Sequence, residues 1–245
     1  MPQIVDEYLR TNNMMAVDAI KREYLDRCRA GLTDLGKVQG RYARALFDGI
    51  PSILSSRSRR FSPGRLVEGS RTRSFSGAIG YLRETGLMVP CHHCTDPGTT
   101  VDLTGDMRVF RPYLMDTGLL FPLVFGPDGP GIRDAYLSVM DGDVAINKGM
   151  FLRNMVAQQL AARGHDLFFH QSDDGACGSD FLIHGRGGTC PISVIPAQSS
   201  RHRPLDMFRE RYGDRMGTPY VIHGGDLMVD GDGTVRIPVY MTMFL

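Results

Sequence analysis

The sequence predicts an α/β protein, α+β overall, in which a helical N-terminal part precedes a small domain with a mixed β-sheet. Apolar residues recur at helical spacing through the first third of the chain, as expected for helices with one buried face. From residue 148 onwards, helical and strand patterns alternate, which is typical of a mixed sheet packed against helices. Within that second part, two apolar runs enclose a glycine-rich turn between Ser179 and Ile195, and this pattern predicts a β-hairpin.

The composition limits the class of protein. A chain of 245 residues can form one large domain or two small ones. Its hydrophobic fraction of 42% and charged fraction of 22% are ordinary for a globular protein, and its net charge of +1 means that any basic surface must be local. Five cysteines without a regular framework favour a reducing compartment. Because no signal-peptide pattern or bilayer-spanning apolar run is present, we expect a cytoplasmic protein without a membrane partner.

The first part of the chain contains three predicted helices and then two short strands. They are expected at residues 5–35, 37–54, 74–85, 87–91 and 107–113. Three helices followed by a two-stranded ribbon are the element order of a winged-helix domain, a helix-turn-helix variant whose last helix faces DNA. We therefore assign residues 1–36 to a helical linker and residues 37–125 to a winged-helix-like domain.

A short run of glycines and prolines at residues 126–131 predicts a loop or a domain boundary. Beyond it, a helix is predicted at residues 148–163, followed by short strands and one more short helix at residues 205–211. We assign residues 140–245 to a second, α/β domain with a mixed sheet.

Several segments together resemble one family. They are residues 113–120 (Tyr-Leu-Met-Asp-Thr-Gly-Leu-Leu), 154–160 (Asn-Met-Val-Ala-Gln-Gln-Leu), 164–169 (Gly-His-Asp-Leu-Phe-Phe), 180–183 (Asp-Phe-Leu-Ile) and 237–240 (Ile-Pro-Val-Tyr). In this order they are similar to the C-terminal region, a domain of unknown function, of a large group of prokaryotic AAA-type ATPases. The resemblance implies an N-terminal ATPase domain, a winged-helix segment and a restriction-endonuclease-like domain of the PD-(D/E)XK type.

The ATPase part of that arrangement is not found in this sequence. No Gly-x-x-x-x-Gly-Lys-Ser/Thr loop is present, so ATP would belong to a missing N-terminal domain rather than to this chain. The first residues resemble the end of the family's ATPase part. We therefore expect a truncated gene product or a C-terminal fragment, whose partner is an ATPase domain in the same or a neighbouring gene.

The resemblance also implies four positions of a nuclease-type site. The fold carries a Glu on its first helix, an Asp on one strand, and a Glu and a Lys on the next strand. In this sequence Asp180 keeps the strand Asp, whereas Arg153, Ser193 and Ile195 occupy the other three positions. Metal-dependent cleavage needs carboxylates to hold a cation such as Mg²⁺ and a positive group to stabilise developing charge. We therefore expect a vestigial site without nuclease activity and without a metal.

Other residues offer few replacement metal ligands. Asp173 and Asp174 lie just before the hairpin, but Ser-Asp-Asp-Gly is also ordinary turn chemistry. Residues 91–94 (Cys-His-His-Cys) are expected to be the end of a strand and not a zinc site, because adjacent residues of an extended segment point alternately to opposite faces. Mg²⁺ would be a cofactor only if nuclease ligands had migrated.

A cluster of arginines is the strongest candidate for nucleic-acid binding. Residues 57–73 contain six arginines against one glutamate, a net charge of +5, and one more arginine follows on the third helix. Phosphate contacts of this kind give salt-sensitive, mostly sequence-independent affinity. The candidates are Arg57, Arg59, Arg60, Arg65, Arg71, Arg73 and Arg83.

The preferred interpretation is a non-catalytic accessory region of an AAA-type ATPase that binds DNA or a protein partner. One alternative is a metal-dependent nuclease with migrated ligands. Another is a pure protein-interaction module, in which the arginines form a solvated loop or face an acidic surface of the ATPase domain.

Overall fold

The computed structural model describes residues 2–98, 101–126, 148–185, 187–195 and 203–245. It confirms the α/β class, with N-terminal helices followed by an eight-stranded mixed sheet. The chain forms two compact units. Unit 1 comprises Met1–Met88 and Leu114–Phe151, and unit 2 comprises Val89–Tyr113 and Leu152–Leu245. None of the described helices combines the length and the apolar character that crossing a membrane requires.

Unit 1 is helical. Its helices are α1 (Pro2–Thr11), α2 (Met14–Gly31), α3 (Gly36–Ser55), α4 (Pro63–Leu66), α5 (Ser76–Glu84) and α7 (Thr117–Phe125). Helix α2 begins after Asn13, whose side-chain oxygen accepts the backbone N–H groups of Met15 and Ala16 at 2.9 and 3.4 Å. Helix α3 buries Ala43, Leu46 and Ile50, whose spacing of three or four residues places them on one face.

Helix α5 is fixed against α3 by polar and aromatic contacts. The side chain of Gln39 accepts the backbone N–H of Ala78 at 3.1 Å and donates to the carbonyl of Ser74 at 3.3 Å. Buried Phe75 lies 4.7 Å from Tyr42 and 5.2 Å from Phe61, measured between ring centroids. These contacts hold the arginine-bearing segments around α4 and α5 on the core of unit 1.

The sheet runs in the order β2-β1-β3-β4-β5-β6-β8-β7. Its strands are β1 (Met88–Cys94), β2 (Gly105–Leu114), β3 (Leu167–Gln171), β4 (Gly178–Gly185), β5 (Gly188–Val194), β6 (Tyr220–His223), β7 (Met228–Val229) and β8 (Val235–Pro238). Strand β1 pairs with β3 in parallel, β3 with β4 and β4 with β5 antiparallel, and β5, β6 and β8 in parallel. The expected mixed sheet is therefore present.

Helices accompany the sheet within unit 2. They are α6 (Val101–Thr104), α8 (Lys148–Ala162), of which residues from Leu152 onwards belong to this unit, and α9 (Arg203–Tyr212). Phe208 of α9 packs in an apolar cluster with Phe168 of β3 and Leu182 of β4. Most residues of β4 and β5 are buried, and the buried residues include the polar side chains of Ser179, Asp180 and Ser193.

The compact units divide the chain differently from the domain boundaries expected from the sequence. The sequence places the ribbon of β1 and β2 in a winged-helix-like domain at residues 37–125. In the structure β1 pairs with β3, with Cys91 opposite Leu167, so the ribbon continues into the eight-stranded sheet. The paired residues of β1 and β3 are 76 positions apart in the sequence, and local pattern does not encode such a pairing. Apart from Gly126, the expected boundary loop at residues 126–131 lies outside the described residues.

The fold predicts that Gly178, at the start of β4, does not tolerate a side chain. A methyl group there would lie 2.9 Å from the backbone carbonyl oxygen of His170 on β3. Because the clash is with backbone, we expect Gly178→Ala to lower the free energy of unfolding by about 1–3 kcal/mol, measured by chemical denaturation. The control is Gly213→Ala, where the added carbon meets nothing within 4 Å. Equal stability of the two variants would contradict the described approach of β3 and β4.

Candidate functional site

The β4–β5 hairpin brings Asp180 and Ser193 together. Phe181 pairs with Ile192 and Leu182 with Pro191, so the same register places Asp180 opposite Ser193. Directly opposed residues of an antiparallel pair share one face of the sheet. Asp180 is 6% exposed and Ser193 is completely buried. Asp180 and Ser193, two of the four positions that the resemblance implies, therefore lie in the interior of unit 2.

Side chains of β4 bind the backbone of β5 at this point of the hairpin. The backbone N–H of Ile192 donates to the hydroxyl oxygen of Ser179 at 3.0 Å. The backbone N–H of Val194 donates to Oδ2 of Asp180 at 2.9 Å. Since a buried N–H without an acceptor would be costly, both side chains help to hold the end of β5 in place.

The other oxygen of Asp180 faces a guanidinium group. Nε of Arg153, on α8, donates to Oδ1 of Asp180 at 3.1 Å, and Nη2 of Arg153 donates to the carbonyl of Val194 at 3.4 Å. Arg153 is the residue at the expected helix Glu position. Arg153 therefore puts a cation beside Asp180, where the resemblance implied a second carboxylate.

A second arginine approaches the same carboxylate from β2. Nη1 of Arg111 lies 4.0 Å from Oδ1 of Asp180, and the Arg111 side chain is 1% exposed. Its guanidinium carbon lies 3.8 Å from the ring centroid of Phe169, and its Nη2 donates to the side-chain oxygen of Gln171 at 3.2 Å. Two guanidinium groups thus share one carboxylate.

Sequence reasoning did not select Arg111. Its signal is nevertheless present: a single arginine interrupts the otherwise apolar run Val-Phe-Arg-Pro-Tyr-Leu at residues 109–114. Arginine is rarely buried without a partner, so a charged residue in a strand of this kind indicates an interior ion pair.

This arrangement disfavours the binding of a cation to Asp180. A divalent cation approaching Asp180 would meet both guanidinium groups, and electrostatic repulsion is strong where water is largely excluded. Both carboxylate oxygens already accept hydrogen bonds. Among the residues that the structure describes, no group of three or more His, Cys, Asp or Glu side chains is arranged to hold a metal ion.

Ile195, at the expected Lys position, is part of an apolar cluster. It directly follows β5, its backbone N–H donates to the carbonyl of Ile222 at 2.9 Å, and its side chain packs with Leu205 and Val221. It contributes to packing rather than to a charged site.

The two acids before the hairpin lie in the turn between β3 and β4. Oδ1 of Asp174 accepts a hydrogen bond from the Ser172 hydroxyl at 2.6 Å and from the Ala176 N–H at 3.0 Å. These hydrogen bonds, the one from Ser172 foremost, lower the pKa of Asp174. Asp174 therefore stabilises its own turn, as short polar side chains commonly do.

The arginine cluster lies in unit 1 on the segments around α4 and α5. Arg59 and Arg60 are half-buried, and Arg59 has a positive φ of 55°. The other members are exposed, and none of them forms an ion pair with a carboxylate within the described ranges; they are Arg57, Arg65, Arg71, Arg73 and Arg83. We call these five residues the arginine surface.

The arginines of helix α2 are balanced by acids. Arg22 pairs with Asp18, Arg27 with Glu23 and Arg29 with Asp48, the last at 2.9 Å. The arginine surface differs from α2 in this respect.

The start of α5 is only partly open to a phosphate. A helix N-terminus offers free N–H groups to anions, but the N–H of Ala78 is already bound by Gln39 at 3.1 Å. Arg71 and Arg73 still precede this helix and are exposed. The positive charge in this region is presented by the side chains of Arg71 and Arg73 more than by the N-terminus of α5.

The Asp180 geometry predicts that loss of this carboxylate is strongly destabilising. Asp180→Ala leaves the N–H of Val194 without its acceptor and two guanidinium groups without their shared anion. We expect a loss of about 3–5 kcal/mol in the free energy of unfolding, and a smaller loss for Asp180→Asn, whose amide oxygen can still accept from Val194. The control Asp173→Ala, at an exposed turn residue, should change stability by less than about 0.5 kcal/mol. A loss as small in Asp180→Ala as in the control would contradict this role.

Comparison of the chain with protein-family models, with curated proteins and with solved structures finds no match.

Proposed function

We propose that this chain is a non-catalytic accessory region that binds nucleic acid through the arginine surface and works with an ATPase partner. The observation that carries the proposal is the imbalance of charge in unit 1. The arginine surface has no carboxylate partner among the described residues, whereas arginines of α2 are neutralised by acids one turn away. Exposed guanidinium groups of this kind are suited to phosphate oxygens, which they bind through paired N–H donors.

The expected mode of binding is contact with the phosphate backbone. Each arginine that neutralises a phosphate releases a counterion, so affinity falls steeply with salt and depends little on base sequence. Arg71 and Arg73 directly precede α5, and Arg83 lies in its last turn. This is the helix that the winged-helix interpretation of the sequence assigned to face DNA.

The surroundings of Asp180 support binding without cleavage. A nuclease of this type needs the carboxylate as a metal ligand, and here its oxygens accept from Arg153 and Val194. The positive charge beside Asp180 is that of the Arg153 side chain, whereas in a nuclease of this type it would be that of a metal ion. We therefore propose that Asp180 and Arg153 stabilise the fold and do not take part in DNA cleavage.

The ATPase partner is proposed on the resemblance of the sequence motifs alone. An ATPase in the same or a neighbouring gene would supply the energy of nucleotide hydrolysis. This chain would then contribute the contact with nucleic acid.

A protein-interaction module is the second candidate, and one observation in unit 2 favours it. Leu227, Met228 and Val229 are more than half exposed, on and beside β7, the last strand of the sheet. Tyr240 and Phe244 are also exposed, at 67% and 71%. Apolar side chains at a sheet edge are typical of surfaces that a partner covers.

The proposal predicts DNA binding that weakens with salt and depends on the arginine surface. Affinity of the full chain for a labelled duplex is measured by fluorescence anisotropy between about 50 and 200 mM salt. We expect Arg71→Ala/Arg73→Ala to weaken binding at every salt concentration. The slope of log affinity against log salt should become shallower by up to about 0.9 for each phosphate that the variant no longer neutralises.

The matched control for this experiment is Arg27→Ala. Arg27 is also exposed, but it pairs with Glu23 on the same helix, so its removal should leave the slope unchanged. An affinity that stays flat with salt would contradict phosphate binding. Equal effects of the double variant and the control would contradict the assignment to the arginine surface.

The proposal also predicts that the wild-type chain does not cleave DNA in the presence of Mg²⁺ or Mn²⁺. Supercoiled and linear substrates are incubated with the purified protein and analysed by electrophoresis. Asp180→Asn serves as the control for contaminating nuclease. Cleavage by the wild type that disappears in Asp180→Asn would overturn the non-catalytic assignment and favour the migrated-ligand nuclease.

A further inference from the structure

We propose that two copies of this chain associate through strand β7, so that the sheet of unit 2 continues across a two-fold axis into the sheet of the second copy. Strand β7 (Met228–Val229) is the last strand of the sheet and pairs on one side with β8. Its other side is open in the part of the chain that the structure describes. The proposal does not rest on the arginine surface, because it uses no residue of unit 1.

The open side of β7 presents backbone groups of Val229 and of Leu227, which directly precedes the strand. In an antiparallel pair, successive residues direct their N–H and C=O groups alternately toward and away from the partner strand. The N–H of Asp230 is directed toward β8, because it donates to the carbonyl of Thr234 at 2.9 Å. By this alternation, the backbone groups of Leu227 and Val229 are directed away from β8.

Strand β8 supports this orientation independently. Val235 lies opposite Val229, and its N–H donates to the carbonyl of Pro219, just before β6, at 3.0 Å. Because this N–H is directed away from β7, Val229 and Val235 form a non-hydrogen-bonded pair. The backbone N–H and C=O of Val229 are therefore suited to a strand that is added at the open edge.

A second copy of β7 matches this edge best when the two-fold axis passes through Met228. Leu227 of one copy then lies opposite Val229 of the other. Both residues direct their backbone groups at the partner strand, so the pair exchanges hydrogen bonds, and the symmetry repeats this exchange. A shift by one residue would place outward groups opposite inward ones. The edge is therefore complementary to itself, as the contact between identical subunits requires.

The same register brings exposed apolar side chains together. Directly opposed residues share one face of the sheet. Leu227 and Val229 of both copies would therefore form one cluster, and the two Met228 side chains would meet on the opposite face. Leu227 is 55% exposed, Met228 51% and Val229 66%. Pairing with a second copy removes this apolar surface from water, which favours association.

The exposed apolar area is sufficient for a dimer. Tyr240, Met243 and Phe244 are 67%, 52% and 71% exposed. They lie in the short 3₁₀ helix Val239–Phe244, which directly follows β8, the neighbour of β7. With the three residues of the β7 edge, at roughly 100 Å² each, they offer on the order of 600 Å² per copy. The resulting total of about 1,200 Å² exceeds the ~1,000 Å² expected of a specific interface.

Two carboxylates limit the strength of this association. The register places the exposed Asp226 opposite Asp230 of the second copy, and like charges that face each other across a strand pair are unfavourable. Asp230 is paired within its own chain, because Nε of Arg236 donates to its Oδ2 at 2.7 Å. This ion pair reduces the repulsion, so the dimer is expected to form reversibly and to depend on concentration.

The first test measures the mass of the full chain by analytical ultracentrifugation over a concentration series. We expect the wild type to dimerise, and Val229→Lys to raise the dimer Kd at least about tenfold, because it places charges in the apolar cluster. The matched control is Val38→Lys, which changes a valine that is 64% exposed on α3 and should leave the Kd unchanged. Asp226→Asn should lower the Kd about twofold to tenfold by removing the facing like charges.

The second test is cross-linking, which reads the register. The two copies of Met228→Cys would face each other across the axis with Cα atoms about 4.5 Å apart, a distance that a disulfide spans. Mild oxidation should therefore link this variant into a covalent dimer. Val229→Cys, whose two copies lie on opposite sides of the axis, should link at least about tenfold less. The wild type, with its five cysteines, gives the background.

The proposal is overturned if the wild type remains monomeric up to about 100 μM, which would assign the β7 edge to a different protein. It is also overturned if Val229→Lys and Val38→Lys have equal effects, or if Met228→Cys links no better than Val229→Cys. Either result would place the dimer contact elsewhere. These outcomes are distinguishable from failure of the proposed function, which is read from the effect of Arg71→Ala/Arg73→Ala on duplex binding.

Discussion

The buried carboxylate of Asp180 is the interaction on which the organisation of unit 2 depends. Its Oδ2 accepts the backbone N–H of Val194 on β5, and its Oδ1 accepts Nε of Arg153 on α8. Arg111 of β2 lies at 4.0 Å from the same oxygen. One side chain on β4 therefore connects a neighbouring strand, a strand further along the sheet and a helix. These hydrogen bonds fix the position of the carboxylate between β5 and α8.

Arginine has two different roles in this chain. In unit 2, Arg111 and Arg153 are paired with an acid and contribute to the interior, where removal of a partner would leave an isolated charge. In unit 1, the arginine surface is exposed and has no acidic partner within the described residues. The first arrangement stabilises structure and orients a donor group. The second provides positive charge that a polyanion can neutralise.

Local pattern accounts for the parts of the fold that were predicted correctly. The helical periodicity of residues 37–54 and 74–85 matches α3 and α5, and the hairpin predicted between Ser179 and Ile195 matches β4 and β5. The single helix expected at residues 5–35 is instead divided into α1 and α2. The pairing of β1 with β3 was not predictable, because it joins Cys91 to Leu167 across a long stretch of chain. The role of Arg111 was also missed. Its sequence shows only a charge in an apolar strand, and the partners come from β4 and β3.

The most direct test of this account is a double-mutant cycle between Asp180 and Arg153. Free energies of unfolding are measured for wild type, Asp180→Asn, Arg153→Gln and the double variant, with and without Mg²⁺. The account predicts a favourable coupling energy of about 1–3 kcal/mol, independent of Mg²⁺, because the two side chains serve each other as partners. Additive effects, together with a stabilisation by Mg²⁺ that requires Asp180, would contradict it and would identify the carboxylate as a metal ligand.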